Sequence, residues 1–141
     1  MNDPTKPYQL TFEEREHYLC AHIKADSTDH ETAVDYWRKI VEKCRRLECE
    51  RLMVVQEIPG GLNTTETFNV ASDVTAMGIH DIKIAFVDPD TTLYESHQFG
   101  QLVGTNRGAW SEVFTTIPEA ENWLLMGLGS SLPSRRLNDV D

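Results

Sequence analysis

Basic residues are scarce in this chain. Thirteen Lys and Arg face 23 Asp and Glu among 141 residues, a formal net charge of −10. Nucleic-acid affinity depends on Lys and Arg neutralising phosphates, so the balance argues against a general phosphate-binding surface. Anionic membranes are disfavoured for the same reason. No apolar run approaches the length of a membrane span. The start, Met1-Asn2-Asp3-Pro4, lacks the basic-then-apolar pattern of a signal peptide. Cysteine is sparse too: three, an odd number without paired spacing. Reduced thiols and a cytoplasmic location are the simplest expectation. Also missing are a G-x-S-x-G elbow, a Walker loop and a dinucleotide fingerprint. With no nucleophile–base pair and no metal motif, no catalytic residue, metal or cofactor is expected.

What is present suits one domain with its own core. Hydrophobic residues make up 40% of the chain, and a domain near this size buries about 68–70% of the surface its unfolded chain exposes. The central stretch is Ile82-Lys83-Ile84-Ala85-Phe86-Val87-Asp88-Pro89-Asp90. Val, Ile and Phe suit a buried strand, and Pro89 cannot donate to a ladder, so the strand should end near Asp88. Leu52-Met53-Val54-Val55 stops in the same way before Glu57, Pro59, Gly60 and Gly61. A helical pattern lies between them, which makes a right-handed crossover joining parallel strands.

The remaining elements follow in order. Residues 1–7 read as a flexible arm. Tyr8 to Glu13 and Tyr18 to Lys24 each alternate apolar and polar, as the strands of an antiparallel hairpin do. Ser27, Thr28 and Asp29 are good N-cap residues, and Thr28 with Glu31 fits a capping box. The helix beyond it carries Ala33, Trp37, Ile40, Val41, Cys44 and Leu47 on one stripe. Trp37, in mid-stripe, is expected to anchor the core. Lys43, Arg45 and Arg46 close that helix as a solvated basic end opposing the dipole. Asn63 or Thr64 caps a second helix with Phe68, Ala71, Val74 and Met77 inward, closed by Gly78. Thr91 or Thr92 starts a third, with Leu93, Phe99, Leu102 and Val103 inward. Residues 104–108 form a loop, and Glu112 to Thr116 a last strand. Thr116-Ile117-Pro118-Glu119 then opens a final helix that buries Ala120, Trp123 and Leu124. The domain spans residues 8–126, and 127–141 read as a mobile tail.

Ile84 to Asp88, Asn106-Arg107-Gly108 and Val113-Phe114, with Glu119 to Leu124, carry a resemblance over residues 8–125. The chain resembles the STAS or SpoIIAA-like superfamily, and within it small bacterial proteins of no settled function. The resemblance implies an α/β fold: a mixed sheet of about five strands, with a β-hairpin followed by αβ repeats whose strands run parallel. None of these motifs names a chemistry. Some relatives are anti-sigma-factor antagonists switched by phosphorylation at a helix start, in an Asp-Ser-Ser/Thr-Gly-Leu setting. Thr64 and Thr65 hold the matching place, but the Asp-Ser and the Gly-Leu are missing, so they are expected to cap the helix instead. Lipid binding in the CRAL-TRIO manner would need a longer chain.

Candidate constellations are few. Cys20 and His22 share a strand face near His17, short of the three or four converging ligands of a zinc site. Asp88 and Asp90 lack the further acids and the Lys of a phospho-acceptor domain, and a lone Asp-Pro-Asp is an ordinary turn. Gly60-Gly61 before a helix can expose amides to an anion, though a turn that needs glycine accounts for it more simply. A ligand is therefore expected beyond the strand C-termini, at Glu57, Asn63, Thr64, Asp88 and Asp90. The helix ends attract negative charge and the carboxylates repel it. A small polar ligand or a partner's basic side chain fits that mixture. Arg107 belongs at the far end of the sheet. Trp110, in a loop, is the candidate anchor of a homodimer interface. The expected function is a non-enzymatic binding or regulatory module. A small enzyme using the strand-end carboxylates and a phospho-switched regulator are the alternatives.

Overall fold

The computed structural model of the protein describes residues 7–127. The expected arm and tail therefore lie outside the described residues, apart from Pro7 and Gly127. Five strands form one sheet in the order β1-β2-β3-β4-β5. β1 (Gln9–Glu14) pairs antiparallel with β2 (Leu19–Lys24). β3 (Arg51–Glu57), β4 (Lys83–Val87) and β5 (Trp110–Phe114) each add in parallel. The helices are α1 (His30–Arg46), α2 (Thr64–Thr75), α3 (Tyr94–Asn106) and α4 (Ile117–Leu124). The fold class is the expected mixed α/β sheet with parallel αβ repeats.

Because the strand order never reverses, successive right-handed crossovers put their helices on one face. The larger core lies there: Ile40 and Cys44 of α1, and Val70 and Val74 of α2, pack on Leu52, Val54 and Ile84. Among the described residues α4 is the helix on the other face, setting Ala120 and Leu124 against Met53, Val55, Ala85 and Val87. The alternation in β2 follows: Leu19, Ala21 and Ile23 are buried, while Cys20 and His22 on the opposite face are partly open.

Several local expectations are corrected. Of the three candidate caps of α1 it is Asp29 that serves, its carboxylate accepting from the Thr32 amide at 2.8 Å, and the Thr28–Glu31 box does not form. Tyr36 is the buried aromatic of that helix, at 1% exposure, and Trp37 is half-buried. The expected stripe otherwise holds, with Ala33, Ile40, Val41 and Cys44 buried, and Tyr36 finds a polar partner in Gln56 beneath it. Phe68 and Leu102 face outward, at 41% and 57% exposure. The buried face of α2 keeps the expected Val74 but runs through Thr67 and Val70, and Thr67 satisfies its hydroxyl on the Asn63 carbonyl at 2.9 Å. β5 begins at Trp110, so that residue lies in an edge strand and not in a loop. Gly78 does close α2, at φ +79°, and Thr116 does cap α4.

Candidate ligand site

The loops leaving β3 and β4 lie side by side, and a Cβ built on Gly61 would meet Leu93 at 3.3 Å. Glu57 is exposed, and its Oε2 lies 2.8 Å from His22 Nε2. Asn63 makes a full capping box with Glu66: its Oδ1 accepts from the Glu66 amide at 2.8 Å, and its own amide donates to Glu66 Oε1 at 3.2 Å. Thr64 and Thr65 are exposed in the first turn of α2, and neither is the cap. The expectation that they cap is corrected by the backbone, which is extended at Asn63 and helical from Thr64 onward. Asp90 caps a 3-10 turn, Thr91–Leu93, that leads into α3. The hydroxyl and then the amide of Thr92 hold the Asp90 carboxyl below the ordinary carboxylate range.

Asp88 is the buried member, at 2% exposure. Its Oδ1 accepts from the Asp90 amide at 2.9 Å, and its Oδ2 lies 2.7 Å from His97 Nε2. A buried carboxylate is costly unless paired and hydrogen-bonded, and both oxygens are engaged here. The His97 ring also meets Phe86 edge-on at 4.8 Å, and Phe86 stacks on Trp37 at 6.3 Å. Three elements thus fix one imidazole: β4, its following loop and α3.

Behind this rim lies a cavity of about 130 Å³ between the sheet and α1–α3. Val70, Val74, Ile84, Phe86 and Trp37 give it a mainly apolar wall, with Gln56, Thr67 and His97 among its polar members. None of the five expected ligand residues lines it, though Gln56 and Leu62 adjoin Glu57 and Asn63 in the chain, and His97 holds Asp88. The cavity therefore lies deeper than the loops that carry the expected ligand residues. The rule for strand C-termini works through a crevice where the strand order reverses, and this sheet has no reversal. Space arises instead because α3 turns its small positions Ser96, Gly100 and Gly104 inward. Sequence reasoning missed His97. The available signal was the spacing Ser96, Gly100, Gly104, which marks a face one residue away from the apolar one assumed.

Other expected features are placed as follows. Among the described residues no three His, Cys, Asp or Glu side chains converge to hold a metal. No described helix is long and apolar enough to cross a membrane. Arg107 ends α3 away from Asp88, its guanidinium 5.1 Å over the Phe68 ring. Of the basic end of α1, Arg45 pairs with Asp81 at 3.0 Å, and Lys43 lies 5.6 Å over the Phe12 ring. Trp110 is 52% exposed, and Lys83 Nζ lies 5.2 Å from its ring centroid.

Comparison with known proteins bears on the fold. No family model and no curated protein matches the chain. Among solved structures, an uncharacterized protein of the DUF3478 family with a SpoIIAA-like fold, from Shewanella loihica PV-4, is 15% identical at a TM-score of 0.51. That match covers 88% of this chain and 98% of the other. The fold is SpoIIAA-like. The anti-sigma factor antagonist SpoIIAA in its unphosphorylated form is 14% identical at a TM-score of 0.47, over 82% of this chain and 95% of that one. At 15% identity the fold is what this chain shares with the DUF3478 protein, and the site is read from this chain's own residues.

Proposed function

We propose that this SpoIIAA-like domain is a non-enzymatic binding module that holds a small ligand in the cavity between α2, α3 and β4. The observation that carries this reading is the cavity itself: about 130 Å³, largely apolar, with a fixed imidazole in its wall. Ligand sites are typically apolar hollows with a few well-placed polar groups. The loops bearing Glu57, Asn63, Thr64, Asp88 and Asp90 form the rim through which the ligand passes. Occupancy would be read by a partner protein at the same rim, where a basic side chain suits the carboxylates. His97 has no described Ser, Thr or Cys hydrogen-bonded to it, so Asp88 and His97 read as a positioning pair and not as part of a nucleophilic triad. A cytoplasmic location accords with the free thiols of Cys20, Cys44 and Cys49. The exposed Trp110 on edge strand β5 serves self-association as a homodimer.

Native mass spectrometry of freshly purified protein should show a low-mass adduct on the wild type that is absent from Ala71→Leu, which fills the cavity. Bare wild-type protein, together with no thermal stabilisation by any member of a small-ring library, would overturn the reading.

A further inference from the structure

Two amide oxygens and one hydroxyl proton of the cavity wall are already in use. Gln56 Oε1 takes the Tyr36 hydroxyl at 3.1 Å, Gln101 Oε1 takes the Val113 amide at 2.9 Å, and the Thr67 hydroxyl donates to the Asn63 carbonyl at 2.9 Å. His97 is different. Its Nε2 lies 2.7 Å from Asp88 Oδ2. A carboxylate only accepts, so the proton in that bond sits on Nε2, and Nδ1 of the neutral ring is then a bare acceptor. No described residue donates to Nδ1. The ring cannot swing away to find a donor, because Asp88 holds one edge and Phe86 packs against it at 4.8 Å.

Building on the reading of this cavity as a ligand site, we propose that it takes a small neutral ring compound with one O–H or N–H, which donates to His97 Nδ1 while the ring packs against Trp37, Phe86 and Val70. Size supports this: a dry apolar cavity of about 150 Å³ accepts benzene, and this one is about 130 Å³. Charge supports it as well. An anion would meet the buried Asp88 carboxylate behind the imidazole, within a chain of net charge −10. A cation would be desolvated without a free carboxylate, since both Asp88 oxygens are already engaged.

The test titrates ¹⁵N-labelled full-length protein with toluene and with phenol, which have nearly the same shape. Both should move amides of α2 and α3 around the cavity. Phenol should bind about fivefold tighter, the usual worth of one neutral hydrogen bond. Phenol, and not toluene, should shift the His97 Nδ1 resonance in a long-range ¹H–¹⁵N spectrum. His97→Phe should keep toluene binding and lose the preference for phenol. Should that variant not fold, anisole against wild type replaces it, because anisole keeps the oxygen but cannot donate. Equal binding of phenol and toluene, anisole matching phenol, or a protonated Nδ1 in the free protein would each overturn the ligand class and leave the cavity reading intact. Binding of neither ring would overturn both.

Discussion

Single side chains here do work that their residue types alone do not announce. Lys83 is 5% exposed in a strand, yet it has partners. Its Nζ donates to the Trp123 carbonyl at 2.7 Å and lies 4.6 Å from the Trp123 ring centroid and 5.2 Å from that of Trp110. Burial, and then the charge of Arg51, lowers its pKa from 10.5 to about 8. Between those values the folded protein has lost a proton that the unfolded chain keeps. Unfolding then takes one up and becomes harder as pH rises. Urea midpoints should therefore climb between about pH 8 and pH 10 in wild type relative to Lys83→Met. That comparison also cancels the buried tyrosines and thiols, whose raised pKa values act in the opposite sense at high pH. Parallel midpoints would mean that the carbonyls and ring faces keep the ammonium charged. Asn63 offers a second check. Asn63→Ala should cost about 0.5–2 kcal/mol as a lost cap. Thr64→Ala and Thr65→Ala should stay within about 0.5 kcal/mol, as exposed sites do. Chemical denaturation of the three variants decides it, and a larger loss at Thr64 would move the cap.

At the scale of elements, α3 is the unusual one. Its inward face is built from small and polar residues, and the two glycines let it lie close to α2 and β5. A Cβ at Gly104 would sit 3.4 Å from Ala109 Cβ and 3.7 Å from Thr75 Cγ2, which is ordinary contact. Gly104→Ala should thus gain about 0.5–1 kcal/mol from helix propensity, whereas Gly104→Leu should lose about 1–3 kcal/mol by overpacking. Urea midpoints raised for both would show that packing does not limit this position, and midpoints lowered for both that it already excludes an alanine. α4 depends on the sheet in another way. Arg51 Nε donates to the Leu124 carbonyl at 3.0 Å, and Lys83 holds the Trp123 carbonyl beside it. Two cations from β3 and β4 thereby satisfy the free end of a short helix, where the dipole is negative.

For the whole molecule, the linear strand order leaves β1 and β5 as the two edges. β5 presents Trp110 at 52% exposure, with Lys83 beneath it. Light scattering at micromolar concentration should give a dimer mass for wild type and a monomer for Trp110→Ala; a monomeric wild type would end the proposed self-association. The sequence by itself determined the number and order of the elements. Alternation in β2, the apolar run of β4, Gly78 after α2 and the Thr116-Ile117-Pro118-Glu119 start of α4 are local signals set by backbone sterics and solvent. It also placed Asp88 at a strand end. Only packing decided which aromatic of α1 and which residues of α2 are buried. Tyr36 outranks Trp37 because Gln56 lies beneath it, and Thr67 outranks Phe68 because its hydroxyl is satisfied by the backbone. The same holds for the site. Asp88 and His97 are nine residues apart and meet at 2.7 Å, because the Asp90 cap and the 3-10 turn set the first turn of α3 beside the end of β4. The cavity exists because three helices share one face of an unreversed sheet, a property of packing that no stretch of the chain carries alone.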